Sequence, residues 1–287
     1  MTNEVEEQKP KILKDEPVSL MLVGGGIRFP AFIGALRAIE EKGIRVSKVI
    51  GSSTGSIVGA LYACGWSPEE IYREIQTLDT RRFKDFSIKA VVRNFGLFSG
   101  DRLESWIGGQ LGGKRFGDSF RIPLEIIATD MLSYQPVIFS AARFPDVSLA
   151  AAATGSTAVP WLFGYRKMTA RGRKYALVDG SLMSGVVERG LNRHGKTIIL
   201  KVASKRTLNH PHHDKVRLRN YFIEMLSFGL HTQEKEFMKG GKWKDTILLY
   251  CANISPARFW LSEHEIDFLY AQGYEQTMTY LEYKWGV

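Results

Sequence analysis

The chain has 287 residues, 44% apolar and 24% charged, with a formal net charge of +9. It is globular in composition and long enough for one large α/β domain or two small ones. No stretch approaches the ~20 apolar residues that span a bilayer, and two cysteines, Cys64 and Cys251, exclude a disulfide scaffold.

The first 16 residues are charged and lack an apolar segment, so they read as a disordered tail rather than a secretory signal. With reduced cysteines this places the protein in the cytoplasm, at membranes only peripherally. The basic balance favours an anionic partner, nucleic acid or membrane lipid. The absence of zinc-finger spacing and of an RNA-binding aromatic signature argues against nucleic acid.

Pro17 closes the tail. "VSLMLVGGG" (Val18 to Gly26) is a continuous apolar run ending in glycines, which predicts a buried parallel strand and a tight turn. "AFIGALRAIEEKGI" (Ala31 to Ile44) has helical spacing at Phe32, Ala35, Leu36 and Ile39, with Gly43 as a stop. "VSKVIG" predicts a second strand and "GSIVGALYACG" a second helix. "SPEEIYREIQTL" starts a third, with Ser67 as N-cap, Pro68 at N1 and Glu70 at the capping-box position. Further buried strands are expected at "IPLEIIATDM" and "TIILKVAS", an edge strand at "QPVIFS", and a strand ending at Val178 in "RKYALVDGS". The closing "HEIDFLYAQGYEQTMTYLEY" is helical and amphipathic. Strand–helix alternation with short connections implies parallel βαβ units, and no linker follows residue 17, so 17–287 reads as one domain.

"VIGSSTGSIVG" offers three serines, Ser52, Ser53 and Ser56. A nucleophile on a sharp strand-to-helix turn needs small residues two before and two after it. Only Ser53, with Gly51 and Gly55, satisfies G-x-S-x-G, and the following helix points its N-terminal N–H groups at it.

"GGGIRFP" also joins a strand to a helix, and consecutive glycines let N–H groups converge on an anion. A dinucleotide loop would need a glycine where Phe29 stands, and a P-loop would need Gly-Lys-Ser/Thr. The better reading is an oxyanion hole of Gly24, Gly25 and Gly26 together with the N–H of Thr54 after the nucleophile. Arg28 holds the loop in shape or adds positive charge.

A base is harder to find. Of the six histidines none follows a strand end, and His194 in "NRHGK" reads as a helix C-terminus. "HPHHD" (His210 to Asp214) reads as a polar loop rather than a metal site, for want of a strand-anchored partner. Asp179 in "LVDGSL" follows a buried strand. In a dry pocket its carboxylate has a raised pKa and takes a serine proton directly; a plain D-G turn is the alternative.

"GGGIRF", "GSSTGS" and "DGS" in this order resemble the patatin-like phospholipase family, whose members use a Ser–Asp dyad without histidine. The resemblance runs from about Val18 to Val187. It departs from the family pattern at Phe29, where the loop usually ends in glycine, and in "DGSLMSGVV", which lacks the Asn and Pro that often follow the acid. It implies a three-layer α/β fold with a central, largely parallel sheet flanked by helices, and hydrolysis of lipid acyl esters without cofactor or metal. Ser53 falls on the nucleophile, Asp179 on the dyad acid, and Gly24, Gly25, Gly26 and Arg28 on the oxyanion loop. Membrane phospholipid is then the substrate and an anionic membrane surface the partner. Two basic, aromatic stretches are candidate contacts, Thr80 to Phe98 and Ser204 to Phe222. An acyl transferase or thioesterase, and a non-catalytic lipid-binding module, are the competing readings.

Overall fold

The computed structural model describes residues 16–191, 196–203, 245–255 and 258–286. Eight strands form one sheet in the order β10-β9-β1-β2-β4-β8-β7, with β5 paired to β4. They are β1 (Val18–Val23), β2 (Val46–Ser52), β4 (Leu124–Asp130), β5 (Gln135–Phe139), β7 (Arg166–Ala170), β8 (Arg173–Val178), β9 (Thr197–Ala203) and β10 (Thr246–Tyr250). β10, β9, β1, β2 and β4 are parallel. A separate two-stranded ribbon joins β3 (Gly96–Phe98) to β6 (Trp161–Phe163).

β1, β4 and β9 are strands expected from apolar runs, because a strand covered on both faces has no polar side to alternate with, and β2 is the short strand expected at "VSKVIG"; β10 was not expected. Val18, Leu20 and Leu22 of β1 join the larger core beneath α1 (Pro30–Glu41), α2 (Thr54–Ala63), α6 (Leu149–Ser156) and α8 (Glu263–Tyr280). Met21 and Val23 point the other way, where they pack with Ile50, Ile127, Ile199 and Val187 of α7 (Ser184–Leu191). The sheet thus has helices on both faces, the layered α/β arrangement that the strand–helix alternation implied.

The helix signals act as expected. Gly43 adopts φ +68 just past α1. Ser67 and Glu70 form a reciprocal capping box on α3 (Pro68–Thr77), and Ser262 and Glu265 form another on α8. α1 and α8 meet closely. A Cβ on Gly34 would lie 1.9 Å from the Tyr270 carbonyl oxygen, and one on Gly273 1.9 Å from that of Ala31.

The strand expected to end at Val178 does so, as β8, and it runs antiparallel to β4 and to β7. Arg171 and Gly172, at φ +51 and +72, close the tight β7–β8 hairpin. The expected edge strand, β5, pairs antiparallel with β4 alone.

Candidate active site

β1 and β2 lie side by side in parallel register, with Val23 opposite Ser52. The glycine loop and the serine turn therefore leave the sheet at neighbouring points, at the carboxyl ends of adjacent strands. Ser53 takes φ +53 and ψ −138, a conformation costing on the order of 1–3 kcal/mol for a non-glycine residue. The surrounding glycines are what allow the turn. A Cβ on Gly51 would sit 2.4 Å from Ser56 Cα, and one on Gly55 2.6 Å from the Leu22 carbonyl oxygen.

A serine at a helix N-cap ordinarily accepts a hydrogen bond from its own helix. Ser53 does not. Its hydroxyl donates to Asp179 Oδ2 at 2.7 Å. Ser56 Oγ instead donates to the Ser53 carbonyl at 2.6 Å, and Ser52 Oγ is buried without a partner. Of the three serines, Ser53 alone meets a carboxylate.

Asp179 is held on every side. Its N–H donates to the Ala158 carbonyl at 2.9 Å, and its own carbonyl accepts from Thr129 Oγ1 at 2.9 Å. Oδ1 accepts from the Ser181 N–H and hydroxyl at 2.8 and 2.6 Å, which leaves Oδ2 facing Ser53. Gly180 is required by crowding, since a Cβ there would lie 1.8 Å from the Ile127 carbonyl oxygen. Asp179 is only 3% exposed. Burial pushes its pKa above the ordinary carboxylate range, against the opposing pull of hydrogen bonds from Ser181 and Ser53.

All three carbonyls of the glycine loop are engaged. Gly24 accepts from the Gly55 N–H at 3.2 Å and Thr54 Oγ1 at 3.0 Å, and Gly26 from Thr54 Oγ1 at 3.1 Å. Gly25 accepts from the N–H and Nε of Arg28 at 3.1 and 3.3 Å. The peptide planes are thus fixed by the protein. Gly25, at φ +111, has no room for a Cβ, which would meet Phe32 and Thr54 Oγ1 at 2.8 Å. Arg28 is buried and shapes the loop from within. Phe29, which departs from the family pattern, has φ −55, so this position does not need glycine.

Sequence reading missed Ser156. It ends α6, inside the alanine-rich run, and its Oγ accepts from the Ser53 N–H at 2.9 Å while donating to the Ile127 carbonyl at 2.5 Å. It ties the Ser53 turn to β4. The only hint was a polar residue closing an otherwise small and apolar segment.

A cavity of about 140 Å³ opens beside Ser53 and Thr54. Its walls are apolar, among them Leu61, Ile71, Ile75, Trp106, Phe163 and Phe259. His264 is exposed in the first turn of α8. His194, the His210–Asp214 cluster and the stretch Ser204 to Phe222 lie outside the described residues. Among the described residues no three His, Cys, Asp or Glu side chains are grouped to hold a metal.

A family model described as patatin-like phospholipase matches residues 20–191, a span that contains Ser53, Asp179 and the glycine loop. The chain belongs to the patatin-like phospholipase family. It is 31% identical over 180 residues to the uncharacterized protein YqhO of Bacillus subtilis, a match covering 56% of this chain and 62% of that one. It is 41% identical over 66 residues to lysophospholipase NTE1 of Saccharomyces cerevisiae, covering 23% of this chain and 4% of the relative. The chain therefore spans less than two thirds of the length of these relatives. Among solved structures, VipD from Legionella pneumophila superposes with a TM-score of 0.61 at 14% identity, covering 99% of this chain and 72% of that one. The type III effector ExoU gives 0.52 at 17% identity, covering 96% and 54%. These likenesses show that the fold is patatin-like.

Proposed function

We propose that the protein is a serine lipid acyl hydrolase that cleaves ester bonds of phospholipids or lysophospholipids through a Ser53–Asp179 dyad. The observation that carries this reading is the 2.7 Å hydrogen bond from the Ser53 hydroxyl to the buried carboxylate, at the edge of an apolar cavity.

Ser53 Oγ attacks the ester carbonyl carbon as its proton passes to Asp179. The N–H groups of the glycine loop and of Thr54 receive the oxyanion, assisted by the α2 N-terminus. As the tetrahedral adduct collapses, Asp179 returns the proton to the departing alcohol oxygen, leaving an acyl-enzyme. Water then gives a proton to Asp179 and attacks the acyl carbon, which frees the fatty acid and restores the Ser53 hydroxyl. The acyl chain occupies the cavity between α2, α3 and the phenylalanines. No step calls for a metal or organic cofactor.

A phospholipid substrate is presented at a surface. No helix among the described residues is long and apolar enough to cross a membrane. The net charge of +9 suits salt-dependent association with anionic lipid from the cytoplasmic side. A lysophospholipase activity agrees with the name of the yeast relative.

Incubation with a mixed phospholipid and lysophospholipid panel, with products read by mass, tests this. Released fatty acid with the matching lyso product or glycerophospho-alcohol is expected, and is lost in Ser53→Ala. Acyl chains passed to a thiol or amine acceptor, with no free acid, would indicate an acyl transferase. Binding without turnover would indicate a lipid-binding module.

A further inference from the structure

Helix α4 (Ile88–Asn94) is inside out. Ile88, Val91, Val92 and Phe95 recur at i, i+3, i+4 and i+7, the spacing that normally faces a core. Here that stripe faces solvent: Ile88 is 72% exposed, Val92 68% and Phe95 67%. Only Ala90 of this helix is buried. Phe86 and Leu97 flank the stripe, and Trp161 of β6 and Trp260 are exposed as well. Two of these aromatics sit at unfavourable backbone angles, Phe95 at φ +56 and Trp161 at φ +64.

The inner side of the same unit is the cavity wall. Phe98 of β3 packs on Phe163 of β6 and on Phe259, and Phe163 and Phe259 line the cavity beside Ser53. Phe83, just before α4, lines it too. The ribbon therefore joins the cavity wall to the helix that carries the exposed stripe, since β3 packs against α4. Its rim is cationic. From Thr80 to Phe98 there are five basic residues, Arg81, Arg82, Lys84, Lys89 and Arg93, against one acid, Asp85. The Asp85 carboxylate is already satisfied by Ser99 Oγ and the N–H groups of Gly100 and Arg102.

We propose that α4 and the β3–β6 ribbon form a membrane-insertion element that seats in the interface of an anionic phospholipid layer and brings the acyl cavity onto it. The apolar stripe enters the acyl boundary while Lys89, Arg93 and Lys84 meet phosphates. An exposed apolar stripe flanked by cations matches that surface in both polarity and charge, whereas a wholly aqueous setting leaves the stripe unexplained. The inference rests on the reading of the site as acting on membrane lipid, and extends it from diffuse electrostatic attraction to a defined inserted segment.

The test compares the full chain with the variant Phe86→Ser/Ile88→Ser/Val92→Ser, none of whose positions lines the cavity. Each is measured for binding to phosphatidylglycerol/phosphatidylcholine vesicles, for hydrolysis of a soluble short-chain ester, and for oligomeric mass without lipid. The triple variant should bind vesicles at least tenfold more weakly with soluble-ester turnover and mass unchanged. Trp161 fluorescence, read as the part of the parent signal that Trp161→Phe removes from among six tryptophans, should be quenched by brominated lipid. Equal vesicle binding by parent and variant, or an unquenched Trp161, overturns the inference. So does a change in oligomeric mass, which would show that a second copy covers the stripe, or a loss of soluble-ester turnover, which would show that the stripe supports the fold. If the parent hydrolyses no ester yet binding and quenching behave as expected, the inserted segment stands and the hydrolase reading falls.

Discussion

The hydroxyl of Ser53 donates to Asp179 Oδ2 at 2.7 Å although the two residues are 126 positions apart in the chain. Ser53 thus leaves its own helix uncapped and meets a buried carboxylate, the contact that the proposed proton transfer requires.

Asp179→Asn is expected to reduce ester turnover by about 10³-fold or more while keeping the fold. The wild-type rate should fall as pH drops through the raised pKa of Asp179, because only the carboxylate accepts the serine proton. The stability effect has the opposite sense. The folded value lies above the unfolded value of about 3.9, so the native state favours the protonated acid. Wild-type stability is then lost as pH rises from the unfolded toward the folded value. Asn carries no charge and escapes that loss, so its melting temperature relative to wild type should rise from acid to neutral pH. A variant that keeps wild-type turnover contradicts the role assigned to Asp179.

Ser156→Ala removes the acceptor of the Ser53 N–H and leaves that buried group unsatisfied, at a cost of about 1–3 kcal/mol. A melting temperature several degrees lower is expected, at roughly 2–4 °C per kcal/mol for a chain of this size. Turnover should drop about tenfold or more, since the nucleophile turn loses its tie to β4. Thermal unfolding and ester kinetics on the same preparation check both effects.

Ile75→Trp fills the cavity from α3. The larger ring is expected to cost about 1–3 kcal/mol of stability. It should also lower the ratio of long-chain to butyryl ester turnover by about tenfold or more, because the deep end no longer admits methylenes. A series of esters of increasing chain length measures this, and an unchanged chain-length profile would place the acyl chain elsewhere.

Turnover should be the same with and without EDTA when the substrate is a soluble ester, since both proton transfers are assigned to Asp179. Loss in chelator with recovery on adding calcium would contradict that assignment.

The parts of the site legible in the sequence were those fixed by steric necessity close along the chain. Gly51, Gly55, Gly25 and Gly180 each sit where a Cβ would strike backbone or a packed side chain, and such positions show as glycine motifs. β1, β4 and β9 were legible because they are mostly apolar and buried, whereas β10 was not read. Ser156 was not, because its role arises from the return of α6 beside β4, a long-range contact that leaves no local pattern. The β7–β8 hairpin was hidden for a related reason: a short strand with exposed Arg173 and Lys174 reads alike whether its partner is parallel or antiparallel. Thr80 to Phe98 was legible as a basic, aromatic stretch, but the helix α4 inside it was not, because seven residues span too few turns for an apolar period to stand out.

The most direct test of the central claim is active-site labelling. Wild-type protein and the variants Ser52→Ala, Ser53→Ala and Ser56→Ala are treated with a fluorophosphonate, digested, and the adduct located by mass. The Ser53–Asp179 account predicts one adduct on Ser53 in wild type, Ser52→Ala and Ser56→Ala, each retaining most of its ester turnover, and no adduct or turnover in Ser53→Ala. An adduct on another serine, or folded wild-type protein that hydrolyses esters without labelling, would contradict it.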